Sequence, residues 1–285
     1  MPLNPCFRDN HLKGHFALSL VLCILFLAWS LPIHAQSSAL RDQYLAQVVP
    51  RLEPPPDEVE RYGQLAVESL ETAGVDRRAP QYVVVVDRNP RVQAVLVLWV
   101  PLSASVELIG ASPVSTGRIG QFDHFETPLG VFSHTTANPD FRAEGTKNKL
   151  GFRGYGVKGM RVYDLGWQQA TRGWGKGGKS TIRLQMHSTD PDLAEAKLGS
   201  VQSKGCIRIP ASLNQLIDAS GLLDAAYEET NAAGPPLWIL KADRLSVAGA
   251  GRYLVIVDTL RSEKPAWSVA AQSLPPVLLG PLRTR

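Results

Sequence analysis

Two apolar runs set the first limit on the fold. Tyr82-Val83-Val84-Val85-Val86 is dense in β-branched side chains, and Val92 to Val100 is almost unbroken apolar sequence. Such residues lose rotamer freedom in a helix and pack well on a pleated surface. Asp87-Arg88-Asn89-Pro90 between them is a turn signal, so this stretch predicts a β-hairpin. Further strands are expected at Val106–Ile109, Ala111–Ser115, Leu237–Leu240 and Tyr253–Val257, and where Thr127-Pro128-Leu129-Gly130 turns into Val131-Phe132. Ser180 to His187 alternates, with Ile182, Leu184 and Met186 on one face and Arg183 and Gln185 on the other. Ala211 to Ala219 predicts a helix whose apolar face is Leu213, Leu216 and Ile217. Strands outnumber helices, so the expected class is mainly β, a sandwich or barrel and not a parallel α/β sheet.

The flanks differ in texture. Residues 36–80 read as a helical preface. Ser38 to Val49 is a short helix ended by Pro50, and Pro54-Pro55-Pro56 is a stiff break. Asp57 with Glu60 three residues on resembles a capping box. Val59, Tyr62, Leu65, Ala66, Leu70 and Ala73 recur at helical spacing until Gly74. Residues 1–35 have the layout of a secretory signal peptide: Arg8 and Lys13, an apolar run from Phe16 to Leu31, then Pro32 to Ala35 before a cleavage point at Gln36. Retained, the same run would be an N-terminal membrane anchor. Either way the chain is expected to be exported, to a periplasm or cell envelope. Residues 246–285 are expected to be a final strand and a Pro-rich tail.

Charge excludes one class of partner. Lys and Arg total 30 against 26 Asp and Glu, a net +4, with no block of like charge to follow a nucleic-acid backbone. Gly173-Trp174-Gly175-Lys176-Gly177-Gly178-Lys179-Ser180 matches a phosphate-loop pattern. That pattern needs a buried strand before it and a helix after it. Here Gln168 to Arg172 is polar, and a strand follows. The segment is read as a glycine-rich loop edging a cleft.

Of three cysteines, Cys6 and Cys23 lie in the leader, so Cys206 is the single thiol of the mature chain. One cysteine and no four-ligand set argue against zinc, and no metal is expected. A cysteine nucleophile needs a base, a group to orient that base, donors for an oxyanion, and a sharp turn. The segment from His187 to Pro210 can supply all four. His187 ends a strand, and Ser188 can orient it through side chain or backbone. Ser203-Lys204-Gly205-Cys206 places the thiol after a glycine, with the N–H groups of Gly205 and Cys206 as oxyanion donors. Arg208, on the face of Cys206 in an extended chain, can hold the thiolate or a substrate carboxylate, and Lys204 adds positive charge. Both are expected to lower the thiol pKa. His124 and His134 are read as solvated or strand-face residues, and Tyr155, Trp167 and Trp174 as lid, cleft-wall or core aromatics.

This segment resembles the signature of the L,D-transpeptidase catalytic domain, in which a histidine and a spacer of about fifteen residues precede S/T-H-G-C, an apolar residue, and Arg or Asn. Ser203, Gly205, Cys206, Ile207 and Arg208 match, and His187 stands where the family has its base. Val114-Ser115-Thr116-Gly117 with Thr127 to Phe132 resembles the family's upstream S-T-G…T-P-x-G-x-F block. The likeness covers residues 81–245. Lys204 departs from it, since the family has histidine there. The resemblance implies a β-sandwich of mixed sheets with a Cys–His site under a lid. It implies acyl transfer from a peptidoglycan stem peptide to an amine, either a second stem peptide or an envelope-protein lysine, without a cofactor. It leaves room for a carboxypeptidase or cross-link hydrolase that uses water, and for an inactive wall-binding module. A membrane would be met only through the leader.

Overall fold

The computed structural model describes residues 33–269. The signal peptide or anchor, but for its last three residues, and the Pro-rich tail from Ala270 lie outside the described residues.

The elements in chain order are α1 (Ile33–Gln47), α2 (Pro56–Thr72), β1 (Gln81–Asp87), β2 (Ala94–Val100), β3 (Glu107–Pro113), β4 (Phe125–Glu126), β5 (Gly130–Ser133), β6 (Phe141–Arg142), β7 (Arg161–Arg172), β8 (Lys179–Ser188), β9 (Ile207–Ile209), α3 (Ala211–Ser220), α4 (Ala225–Ala233) and β10 (Tyr253–Val257). One sheet has the order β3-β2-β1-β10-β5, and the other runs β4-β7-β8-β9 with β6 on the first part of β7. Among the described residues only β1–β10 and β8–β9 are parallel strand pairs, so the protein is mainly β with mixed sheets.

The hairpin runs are continuously apolar because both faces of that sheet are covered. Tyr82, Val84, Val86, Val95, Val97 and Trp99 share a core with Leu184, Met186, Ile207 and Ile209 of the other sheet and with Leu213, Leu216 and Ile217 of α3. Val83, Val85, Leu96 and Leu98 pack under Tyr62, Ala66 and Leu70 of α2. Helix α2 of the preface therefore roofs the first sheet, whereas Leu40 and Tyr44 of α1 join the core between the sheets. β10 sits inside that sheet, between β1 and β5, although it follows the expected boundary at residue 245.

Several local expectations change. The segments at 106–109 and 111–115 form a single strand. Gly110 between them is a seat and not a break: a Cβ there would lie 2.2 Å from the Tyr44 ring of α1. The Tyr44 hydroxyl reaches Ser112 Oγ at 2.6 Å. α2 begins at Pro56 with Pro55 as N-cap, so Asp57 lies inside the first turn and makes no cap. Proline suits that position because its missing N–H would have no partner there. Leu237–Leu240 is a turn after α4, a helix the sequence did not announce, and its Ile239 and Leu240 pack on Tyr227. His134 is fully buried, with Nδ1 2.9 Å from Leu223 O, Nε2 2.9 Å from Asp140 and the ring stacked on Tyr227. Asp140 also binds the fully buried Arg161 at 2.6 Å and accepts the Asp164 N–H at 2.9 Å, which ties this ionic core to the middle of β7.

Candidate active site

Strand register builds the site. β7 pairs Asp164 with Gln185 and, past an irregularity, Trp167 with Arg183. β8 pairs Met186 with Ile207 and His187 with Arg208. Side chains alternate along a strand. Leu184, Met186, Ile207 and Ile209 thus enter the core, while Trp167, Arg183, Asp164, Gln185, His187 and Arg208 share the outer face. One step before β9, Cys206 falls opposite Gln185 on that face, diagonal to His187.

The turn that presents the thiol is clamped from three sides. Gly205 has φ +133°, a conformation that favours glycine. Ser203 Oγ donates to Cys206 O at 2.5 Å and accepts the Gly205 N–H at 3.0 Å. Thr127 Oγ1 donates to Gly205 O at 2.7 Å and accepts the Gly117 N–H at 2.8 Å. Ser115 and Arg208 exchange backbone hydrogen bonds of 3.0 and 2.9 Å. The buried Gln93 carboxamide holds Thr116 through its amide at 2.8 Å and its hydroxyl at 2.7 Å. The upstream S-T-G and T-P blocks are thus the physical support of the turn. Of the two N–H groups expected as oxyanion donors, that of Gly205 is already engaged by Ser203 Oγ.

The thiol is half-buried, and its S–H points at Arg183 O, 3.8 Å away. Burial pushes its pKa up, against the Gln185 backbone amide and the Arg208 guanidinium, which favour the thiolate. The expected net lowering is therefore not found. Lys204 has no part in it: its exposed ammonium pairs with Asp123 Oδ2 at 2.6 Å and holds the loop before β4. Arg208 does face the thiol. Its Nε is buried without a partner, its Nη1 makes only a 3.4 Å bond to Gln202 O, and no carboxylate among the described residues pairs with it.

His187 is buried, with Nδ1 2.7 Å from Ser188 O. A carbonyl only accepts, so Nδ1 carries the hydrogen and Nε2 keeps its lone pair. Ser188 thus orients the ring through its backbone, as expected, while its hydroxyl donates to Thr189 O at 2.8 Å. Burial, with help from Arg208, pushes the imidazole pKa down to about 4, against the Ser188 bond. No hydrogen bond joins the imidazole to the thiol in this arrangement. At neutral pH the pair therefore rests as thiol and neutral imidazole.

Tyr155 is one of the aromatics read as lid, cleft wall or core, whereas Arg183, Gln185 and Asp164 carry no site reading in the sequence. Tyr155 lies edge-on to His187 at 4.7 Å and donates to Gln185 Oε1 at 3.1 Å. Gln185 Nε2 donates to Asp164 Oδ2 at 2.9 Å, which also accepts Arg183 Nε at 2.8 Å. The polar members of alternating β8 are a signal that could have found Arg183 and Gln185. Nothing local marks Asp164. A cavity of about 560 Å³ is lined by Tyr155 together with Phe141, Glu144 and Asn148. A larger one, about 740 Å³, lies along α2, away from the thiol.

The glycine-rich loop joins β7 to β8 as a hairpin, with Trp174 packed edge-on against Phe125 at 4.8 Å. A strand follows it, so the phosphate-loop geometry is absent. Among the described residues no acidic, His and Cys group of three could hold a metal ion, and no helix is long and apolar enough to cross a membrane. Comparison with family models and with curated proteins finds no match.

Proposed function

We propose that the chain is an exported, L,D-transpeptidase-like cysteine acyltransferase of the periplasm or cell envelope, in which a β-sandwich with a helical preface acts on peptidoglycan stem peptides. The observation that carries this reading is the placement of Cys206 and His187 on one sheet face, with the nucleophile turn held by Ser203 and Thr127. His187 Nε2 takes the thiol proton as sulfur attacks the donor carbonyl. The Cys206 N–H stabilises the oxyanion. Collapse breaks the peptide bond, and the imidazolium returns its proton to the leaving D-amino acid. An amine acceptor, from a second stem peptide or an envelope-protein lysine, then attacks the thioester and regenerates the thiol. None of these steps calls for a metal or an organic cofactor.

Hydrolysis is the second reading. The side chain in the family's histidine position, Lys204, is turned to Asp123 and offers the acceptor nothing near the thiol. Mass analysis of muropeptides incubated with the mature enzyme separates the two. Cross-linked dimers with release of the terminal D-amino acid support transfer. Shortened stems alone support hydrolysis and overturn the transfer assignment.

A further inference from the structure

We propose that the loop before β4 and the glycine-rich tip between β7 and β8 together form a docking surface for an anionic lipid bilayer. Ile119, Phe122 and Trp174 enter the lipid surface, and Arg118, Arg172, Lys176 and Lys179 hold its headgroups. This goes beyond the acyl-transfer reading and does not depend on it.

Two segments about fifty positions apart build one patch. The Gly120 N–H donates to Gly173 O at 2.7 Å, and the Gly173 N–H donates to His124 O at 2.9 Å. A Cβ on Gly173 would lie 2.7 Å from Ile119 Cα, so the two chains touch there. Trp174 then packs edge-on against Phe122 at 5.6 Å and against Phe125 at 4.8 Å. The outer side of this cluster is bare: Phe122 is 81% exposed and Ile119 59%. A single exposed apolar side chain needs no explanation, but adjacent ones on a pinned pair of loops mark a contact surface.

The charge around the patch has one sign. Arg118, Arg172, Lys176 and Lys179 lie in the same two segments, all exposed and none paired with a carboxylate among the described residues. The acidic residues there are both neutralised, Asp123 by Lys204 Nζ at 2.6 Å and Glu126 by Arg88 Nη1 at 3.2 Å. Charge and apolarity together choose the partner. A neutral glycan would use the rings and leave the cations idle. A soluble polyanion would use the cations and leave the phenyl and isoleucine side chains in water. An anionic bilayer uses both, with apolar side chains at the acyl boundary, indole at headgroup level and Lys or Arg on the phosphates.

The patch is joined to the nucleophile turn. The Phe125 N–H donates to Lys204 O at 3.1 Å, and Phe125 Cβ lies 3.4 Å from where a Gly205 Cβ would stand. A docked tip therefore sets the Cys206 turn beside the membrane.

Co-sedimentation of the mature protein with phosphatidylglycerol or phosphatidylcholine vesicles tests the proposal. Each cation near an anionic surface is worth about fivefold in partitioning, so phosphatidylglycerol is expected to win by about a hundredfold or more at low salt. Lys176→Gln with Lys179→Gln should cut binding by about tenfold or more. Ile119→Ser with Phe122→Ser should cut it similarly, with the urea unfolding midpoint unchanged. Brominated phosphatidylglycerol should quench wild-type tryptophan fluorescence, and Trp174→Phe should lose most of that quenching. Equal binding to the two lipids, no binding, or binding that both double variants keep overturns the proposal. So does binding of Ile119 and Phe122 to peptidoglycan sacculi in a protein that ignores vesicles, which would assign the patch to a wall polymer.

Discussion

Thr127→Val should uncouple the nucleophile turn from its support with almost no change in volume. Thr127 is fully buried, and its Oγ1 is shared between Gly205 O at 2.7 Å and Gly117 N–H at 2.8 Å. Valine removes both partners at once and leaves a buried carbonyl and a buried amide unsatisfied. Each such group costs about 1–3 kcal/mol. Relaxation at Gly117 is blocked, because that residue already sits against Phe125: a Cβ there would lie 1.9 Å from its carbonyl oxygen. The expected loss is therefore about 2–5 kcal/mol, a large part of the roughly 5–15 kcal/mol of a typical domain. Urea unfolding measures it, with an unchanged m-value as the check that the denatured state is the same. Because the lost bond ends on Gly205, kcat/KM should fall about 10²-fold at a temperature where the variant is still folded. Thr127→Ser, which restores the hydroxyl, should recover most of both. A Thr127→Val protein within about 0.5 kcal/mol of wild type and equally active would refute the reasoning.

The remaining expectations concern titration and charge. His187 has a folded pKa of about 4, below its ordinary value of 6.5, so the folded state binds fewer protons than the unfolded one in that window. Its contribution is complete above pH 6.5 and is lost as pH falls towards 4, about 3 kcal/mol in all. Unfolding free energy against pH should show that slope in wild type and lose it in His187→Gln. With the base neutral down to about 4, kcat/KM should stay level from neutral pH to about 5 and fall below it. Arg208→Met should move the pH profile of Cys206 alkylation upward, since the guanidinium opposes the effect of burial on the thiol. Lys204→Met should leave that profile in place, because its ammonium is committed to Asp123.

Local pattern made much of the framework legible. The β-branched runs, the alternation of Ile182, Leu184 and Met186, and the face of Leu213, Leu216 and Ile217 all report burial directly, and burial follows them. The misreadings share a different cause, which is long-range contact. Gly110 looks like a break until Tyr44, sixty-six positions earlier, fills its place. Leu237 to Leu240 has strand-like composition, but Tyr227 of α4 packs it as a turn. His134 looks like a strand-face residue because Asp140 and Tyr227, its ring partners, meet it only in the fold. The same division runs through the site. That Cys206 and His187 share one face, with the Ser188 carbonyl on the imidazole, is legible in the spacing. The commitment of the Gly205 amide to Ser203, and of Lys204 to Asp123, depends on where each group finally points. Asp164 and Tyr155 join the site by pairing across β7 and β8 and by a loop crossing, which no single segment of sequence encodes.

The central claim is that Cys206 is an acylating nucleophile activated by His187. Intact mass spectrometry after incubation with a carbapenem tests it most directly. The account predicts one covalent adduct on the folded protein, located at Cys206, lost in Cys206→Ser and formed much more slowly in His187→Gln. A folded wild-type protein that gains no mass, or a Cys206→Ser protein that still gains it, would contradict the account.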